Sequence, residues 1–272
     1  MHPGVPIGTR RPRAGRVVAA AAIIAVGLTA IKLTTAGAGS DRTSPAPDSV
    51  ALAVASVPAA TFDAVGAGLA GNPPAAIPGP QPSPGGKPRV LYLGAIFCPY
   101  CAAERWPLAV ALARFGTFHG LQVTTSASND SYPDTATLSF AQAYYTSDYL
   151  SFTAVEQRDR AGRQRQAPTP DQQLLIRRHD NVAGHSGHPI PFVDFGGFRL
   201  LGAQIDPGVL KGRSAGQIAA ALGGTTTTLA RAVDGAANVL TATLCRLTGG
   251  EPVAVCTSQG VRRAGGGLPP VQ

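Results

Sequence analysis

The chain has 272 residues, of which 44% are hydrophobic and only 14% charged, so a packed core is within its reach. Its net charge of +8 suggests nucleic acid at first, but Arg10, Arg11, Arg13, Arg16 and Lys32 carry five of those charges ahead of the first acidic residue, Asp41. The remainder has no basic stripe and no basic–aromatic interleaving, which excludes a nucleic-acid-binding surface of the usual kind.

In chain order, the four arginines precede an uncharged run, 17–31 (VVAAAAIIAVGLTAI). A basic segment followed by a short apolar run is the pattern of a secretory signal, and Ala36-Gly37-Ala38 offers an A-x-A cleavage site. If Lys32 snorkels, the apolar span extends to Ala38 and is long enough to cross a bilayer. Of the two readings, an uncleaved anchor with its arginines on the cytoplasmic side is favoured over cleavage and secretion. Either way the rest of the chain is expected outside the cytoplasm, at the cell membrane. Residues 1–36 are thus assigned to the basic region and signal-anchor helix. Residues 37–49 read as a flexible tether. Residues 50–88 read as a helical prelude (Val50–Leu69) and a Pro/Gly-rich arm. A domain then spans 89–258, and 259–272 read as a tail without structure.

Within the domain, Val90–Phe97 (VLYLGAIF) is a continuous apolar run between turn signals, the pattern of a strand buried on both faces. A helix follows over Ala102–Phe115, with apolar positions spaced by three and four, Pro107 expected to kink it and Gly116 expected to end it. Leu121–Ser126, Thr137–Phe140 and Tyr149–Glu156 read as strands, and Asp171–His179 as a helix. Phe192–Phe195 and Phe198–Leu201 flank Gly196-Gly197 as a hairpin. Ser214–Leu222 and Leu229–Leu247 close the chain as helices. This order predicts an α/β fold with a mixed sheet flanked by helices.

The chemistry is expected at Cys98-Pro99-Tyr100-Cys101, where the strand gives way to the helix. Disulfide exchange needs one thiol ionised at working pH and a second near enough to resolve the mixed disulfide. A cysteine at a helix N-terminus has its thiolate favoured by unpaired N–H groups and the helix dipole. Cys98 is therefore the expected nucleophile, Cys101 the resolving thiol, and Pro99 sits where its missing N–H does no harm. A structural bridge would close too small a loop to add much stability. A zinc half-site would need two further ligands, for which Cys245 and Cys256 lie too far along the chain, leaving His185 and His188 as conceivable donors. Redox chemistry needs no metal and no organic cofactor.

Pro191, in His188-Pro189-Ile190-Pro191-Phe192, immediately precedes the hairpin. One reading is an ordinary trans proline opening an edge strand. The other, favoured by the dithiol upstream, is the cis-proline that in thioredoxin folds lies beside the active cysteines and offers backbone to a peptide. Gly94-Ala95, Cys98-Pro99-Tyr100-Cys101-Ala102-Ala103-Glu104-Arg105-Trp106, Arg114-Phe115-Gly116-Thr117-Phe118, Ile190-Pro191-Phe192-Val193-Asp194 and the C-terminal cysteine pair together resemble a prokaryotic thioredoxin-like family of unknown function. The resemblance runs from about Val50 to Cys256. It implies a thioredoxin-like fold, Cys98 and Cys101 as redox pair and Pro191 as cis-proline. Pro107 and Gly196-Gly197 depart from what such a family would carry, and neither touches the dithiol.

Cys245 and Cys256 flank a segment containing Gly249-Gly250 and Pro252, whose return can bring them within bridging distance. A structural disulfide is the favoured reading, with a relay pair that reloads Cys98 as the alternative. Glu104, one turn beyond Cys101, is a candidate for proton transfer as well as an acid suited to a helix start. His188, with His185, is a candidate for tuning the dithiol's pH response. The expected activity is extracytoplasmic thiol–disulfide exchange, oxidase or isomerase rather than reductase. Its partners would be protein thiols and disulfides, an unidentified redox partner, and the membrane through the N-terminal helix. The rival readings are a binding protein of the same fold without turnover, and a metal-binding protein.

Overall fold

The architecture follows from Val90–Leu93, four consecutive apolar side chains that must all be hidden at once. In the computed structural model, which describes residues 42–77, 86–179 and 189–270, they form most of β3 (Arg89–Gly94) and are essentially inaccessible. β3 pairs in parallel with β8 (Ser151–Glu156) and antiparallel with β9 (Phe192–Asp194). β9 pairs with β10 (Phe198–Leu201), and β10 with the short β2 (Ala75–Ala76), giving a five-stranded mixed sheet in the order β2-β10-β9-β3-β8. The alternation of a strand sorts its side chains between two cores. Leu91 and Leu93 join Val155 and Phe192 beneath α4 (Pro170–His179), through Leu175 and Ile176. Val90 and Tyr92 face the larger core on the other side.

That larger core is built around α3 (Pro99–Ala113). Every residue from Pro99 to Leu112 except Tyr100 is buried, so the helix has no solvent face. It packs against α6 (Thr228–Leu247), α1 (Asp48–Ala55) and β6 (Ala136–Ser139). Trp106 Nε1 donates to the Ala136 carbonyl at 3.1 Å and Thr137 Oγ1 to the Ala102 carbonyl at 2.8 Å, which fixes the helix against β6. Pro107 lies inside α3 without ending it, and the helix begins at Pro99 rather than Ala102. Gly116 does not adopt the left-handed cap conformation expected of it. A Cβ there would lie 2.2 Å from the Thr146 carbonyl oxygen, so the residue is small because β7 (Tyr144–Thr146) passes close by. β7 and its antiparallel partner β4 (Thr117–His119) were not foreseen. The remaining small sheet joins β1 (Ser44–Pro45), β5 (Gln122–Thr125) and β6. In the last third, the Pro207–Leu210 3-10 helix and α5 (Ala215–Ala221, with a Ser214/Gln217 capping box) lead into α6.

Three expected boundaries are corrected. Residues 44–49, expected in the tether, are ordered elements: β1 pairs with β5, the Ala46 N–H donates to the Leu121 carbonyl, and Asp48 begins α1. The prelude belongs to the core: Val50 and Val54 of α1 and Phe62 of α2 (Ala59–Val65) are among its least accessible side chains, and β2 of the arm extends the main sheet. The Asn238 side chain of α6 donates to the Phe62 and Gly66 carbonyls at 2.8 and 2.9 Å, supplying donors that the end of α2 lacks. Finally, the expected tail is structured. After α7 (Val253–Cys256), α8 (Gln259–Gly265) buries Val261 and Ala264 against α6 and α2, with Leu268 beyond it. The leader, residues 1–36, lies outside the described residues. Among the described residues no single helix is long and apolar enough to cross a membrane.

Gly260 sets how closely α8 approaches. A Cβ there would sit 2.1 Å from the Phe62 carbonyl oxygen, while the Gly260 N–H donates to Asp63 Oδ1 at 2.6 Å. Gly260→Ala is expected to lower stability by about 1–3 kcal/mol, because neither backbone can give way cheaply. Urea denaturation reads it directly, and an unchanged midpoint would contradict the docking of α8.

Candidate active site

Cys98 is the N-cap residue of α3, with extended backbone (φ −77°, ψ 121°). The Cys101 N–H, one of the donors left without a helical partner, donates to Cys98 Sγ at 3.2 Å. Both thiols are free. Cys98 retains 6% exposure and Cys101 none, so only the first sulfur is within reach of a partner. Hydrogen bonding from the Cys101 side chain, then from its backbone, and the charge of Arg105 outweigh burial and lower the Cys98 thiol to about 7. Cys101 moves the opposite way: burial and its hydrogen bond to Cys98 raise it well above the ordinary thiol value. Two cysteines three residues apart are thereby made unlike, one readily ionised and one held as a thiol.

The source of positive charge was not foreseen. Arg105, fully buried, forms an ion pair with Glu156 at the end of β8, Nε to Oε1 at 3.0 Å. Its Nη2 donates to the Ala95 carbonyl at 2.8 Å, and its guanidinium lies 5.6 Å from the centre of the Tyr92 ring. Ala95 packs directly with Cys98 and Cys101. Glu156 is fully used: Oε1 also accepts the Phe140 N–H at 2.9 Å and Oε2 the Ser139 hydroxyl at 2.8 Å. The sequence carried one signal for this pair, a charge of each sign within buried elements, Arg105 in α3 and Glu156 at the end of β8. Nothing in the spacing joins positions 51 residues apart.

The other expected site residues divide. The Ile190–Pro191 peptide bond is cis, and the Ile190 carbonyl lies 4.0 Å from Cys98 Sγ, so the structure brings Cys98, Cys101 and Pro191 together. Glu104 is elsewhere. Its side chain is fully buried and Oε2 accepts the Gln204 N–H at 2.8 Å, while the groups that shift the two thiols are each other and Arg105. Neighbouring residues on a helix point about 100° apart, and it is Arg105, not Glu104, that serves the dithiol. Burial raises the Glu104 carboxyl to about 8, and among the described residues Oε1 has no hydrogen-bond partner. His185 and His188 lie outside the described residues. Cys245 and Cys256 form a disulfide with Cα atoms 5.5 Å apart. Among the described residues, no group of three or more His, Cys, Asp or Glu side chains is placed to hold a metal ion.

The rim of the site is apolar and partly open. Tyr100 is 46% exposed and meets Tyr132 edge to face at 6.0 Å. Phe97, just before Cys98, lines an open cleft of about 660 Å³ together with Ser128, Asn129 and Arg158.

A family model described as a domain of unknown function (DUF929) matches residues 75–174. That span contains Cys98, Cys101, Arg105 and Glu156, and stops before Pro191 and the Cys245–Cys256 pair. No curated protein and no solved structure matches the chain.

Titration of thiolate absorbance near 240 nm is expected to show one ionisation at about 7 and the second well above it. In Cys101→Ala the lower midpoint should climb towards about 8.5, the value of an unassisted thiol. A wild-type titration with both midpoints near 8.5 would contradict the asymmetry. Glu156→Gln, which strands a buried guanidinium, is expected to destabilise by about 3–5 kcal/mol in urea denaturation.

Proposed function

We propose that this chain is a thioredoxin-like thiol–disulfide oxidoreductase, working on the extracytoplasmic side of the membrane and exchanging disulfides with protein substrates. One observation carries the reading: an ionisable Cys98 Sγ at a helix start, hydrogen-bonded by Cys101 and facing the carbonyl of a cis Ile190–Pro191 bond. The order of elements supports the fold assignment. A central strand leads into the dithiol helix, a parallel neighbour flanks it, and the antiparallel β9–β10 hairpin starts at the cis-proline.

In the reducing direction, the Cys98 thiolate attacks one sulfur of a substrate disulfide. A mixed disulfide forms and the other substrate sulfur leaves as a thiolate. Cys101 then loses its proton and attacks Cys98 Sγ, the substrate thiol departs, and two electrons have passed from protein to substrate. Oxidation runs these steps backwards: a substrate thiolate attacks Cys98 Sγ of the Cys98–Cys101 disulfide and Cys101 leaves as the thiolate. A separate dithiol or disulfide protein must restore the starting state. Stabilising the Cys98 thiolate favours the reduced protein and so makes the disulfide form the better oxidant. Together with the Cys245–Cys256 disulfide, which suits an oxidising compartment, this favours oxidase or isomerase chemistry. The basic and then apolar N-terminal sequence supports the same location. The exposed Tyr100 offers an aromatic docking surface, and the cleft beside Phe97 offers polar groups from Ser128, Asn129 and Arg158, for an unfolded or extended polypeptide.

Cys101→Ala is expected to accumulate covalent adducts with substrates that a reductant releases, and Cys98→Ser to abolish both these and activity in insulin-reduction or refolding assays. Activity surviving in Cys98→Ser would defeat the proposal, and docking without turnover in the wild type would point instead to a binding protein. The rate of alkylation at Cys98 should fall about tenfold per pH unit below pH 7 and level off above it, following the thiolate fraction.

A further inference from the structure

The Cys245–Cys256 disulfide is placed unlike a staple. The segment it closes, 246–255, contains no fully buried residue, and only Leu247 and Val255 of it pack against the core that holds Cys245. α8, which follows it, is held independently through Val261, Ala264 and its bonds to Asp63. Nor is the disulfide sealed away. Cys256 is half-buried, and both cysteines line an open cleft of about 370 Å³ between α6 and α8, a size that takes a small ligand.

The cleft is electrostatically one-sided. Arg246 and Arg262 are its charged lining residues, and the rest is Ala242, Val261 and glycines. The Arg246 guanidinium donates to the Pro269 and Gly265 carbonyls at 2.6 and 3.4 Å, and among the described residues to no carboxylate. Arg262 is exposed, and among the described residues it has no ion-pair partner. Two cations with no ion-pair partner among the described residues attract an incoming anion and stabilise the thiolate that departs when a disulfide is split.

We infer that Cys245–Cys256 is a second thiol–disulfide exchange site, which takes a small, carboxylate-bearing thiol in the cleft under Arg246 and Arg262. The thiolate attacks Cys256 Sγ, the more accessible sulfur. The Cys245–Cys256 bond breaks, Cys245 leaves as a thiolate and the thiol is held as a mixed disulfide on Cys256. A second molecule of the same thiol attacks that mixed disulfide, leaving Cys256 as a thiolate. The net change is two thiols oxidised to their disulfide and one protein disulfide reduced. The site does not depend on the dithiol at α3.

The test uses the full chain carrying Cys98→Ser and Cys101→Ser, so that its outcome is separate from that of the proposed function. Reduced glutathione, an anionic thiol, and cysteamine, a cationic one, are reacted with the folded protein and with an oxidised 245–256 peptide. Mixed disulfide on Cys256 is followed by alkylation and mass spectrometry, and rates are expressed per thiolate. The glutathione-to-cysteamine ratio should be about tenfold higher on the protein than on the peptide, and high salt should erase the difference. Arg262→Gln, on an exposed position whose side chain has no hydrogen bond or ion pair among the described residues, should lower that ratio at least about threefold. A ratio equal to the peptide's, a ratio unmoved by Arg262→Gln, or reaction only once the protein unfolds would overturn the inference.

Discussion

The buried Arg105–Glu156 ion pair is the contact on which the dithiol's surroundings depend. α3 is enclosed on nearly every side, and apolar packing alone constrains a helix weakly against sliding along its axis or turning about it. A guanidinium locked to the end of β8 and to the Ala95 carbonyl fixes both, because a charge at this depth has nowhere else to be neutralised. Glu156 carries the constraint onward through the Phe140 N–H and Ser139, so β3, β6, β8 and α3 meet at one charged point. Cys101 sits one turn and Cys98 about two turns before Arg105 along the helix. Their geometry is inherited from that anchor, as is part of the field that favours the Cys98 thiolate.

What could be read from the sequence was the part encoded locally. The unbroken apolar run of β3 had to be a doubly covered strand, and a Cys-Pro pair just after it had to be a helix start. The Gly196-Gly197 step marked the hairpin in the same way. The misses all involve contacts between distant segments. Glu104 and Arg105 are adjacent and both charged, and only the surrounding fold decides which faces the sulfurs. Gly116 and Gly260 look like loop glycines, yet each is demanded by a carbonyl that approaches from elsewhere. Among the described residues the final segment carries only Val261, Ala264 and Leu268 as buried apolar side chains, too sparse a pattern to announce that it completes the core over α2 and α6.

The two sulfur pairs occupy opposite physical regimes. Cys98 and Cys101 lie at the edge of the interior, differentiated by burial, one backbone donor and a neighbouring buried cation. Cys245 and Cys256 lie in a surface cleft whose cations face solvent. Protein-sized partners suit the first, where apolar rim and backbone are on offer, and small charged molecules suit the second.

Glu104, Asp194 and Asp234 share an arrangement with a thermodynamic consequence. Each carboxyl is inaccessible, accepts one backbone N–H, from Gln204, Gly196 and Gly223 respectively, and has a second oxygen without a partner. Burial raises them to about 8, 6 and 7, against roughly 4 for such groups in an unfolded chain. Folding therefore takes up protons. The favourable contribution is complete in acid, below the unfolded values, and is lost progressively as pH rises from about 4 through the folded values of about 6 to 8. Acid undermines carboxylates held in ion pairs, because they must be protonated; these three have already accepted their protons, and it is the climb from acid to neutral and mildly alkaline pH that works against them.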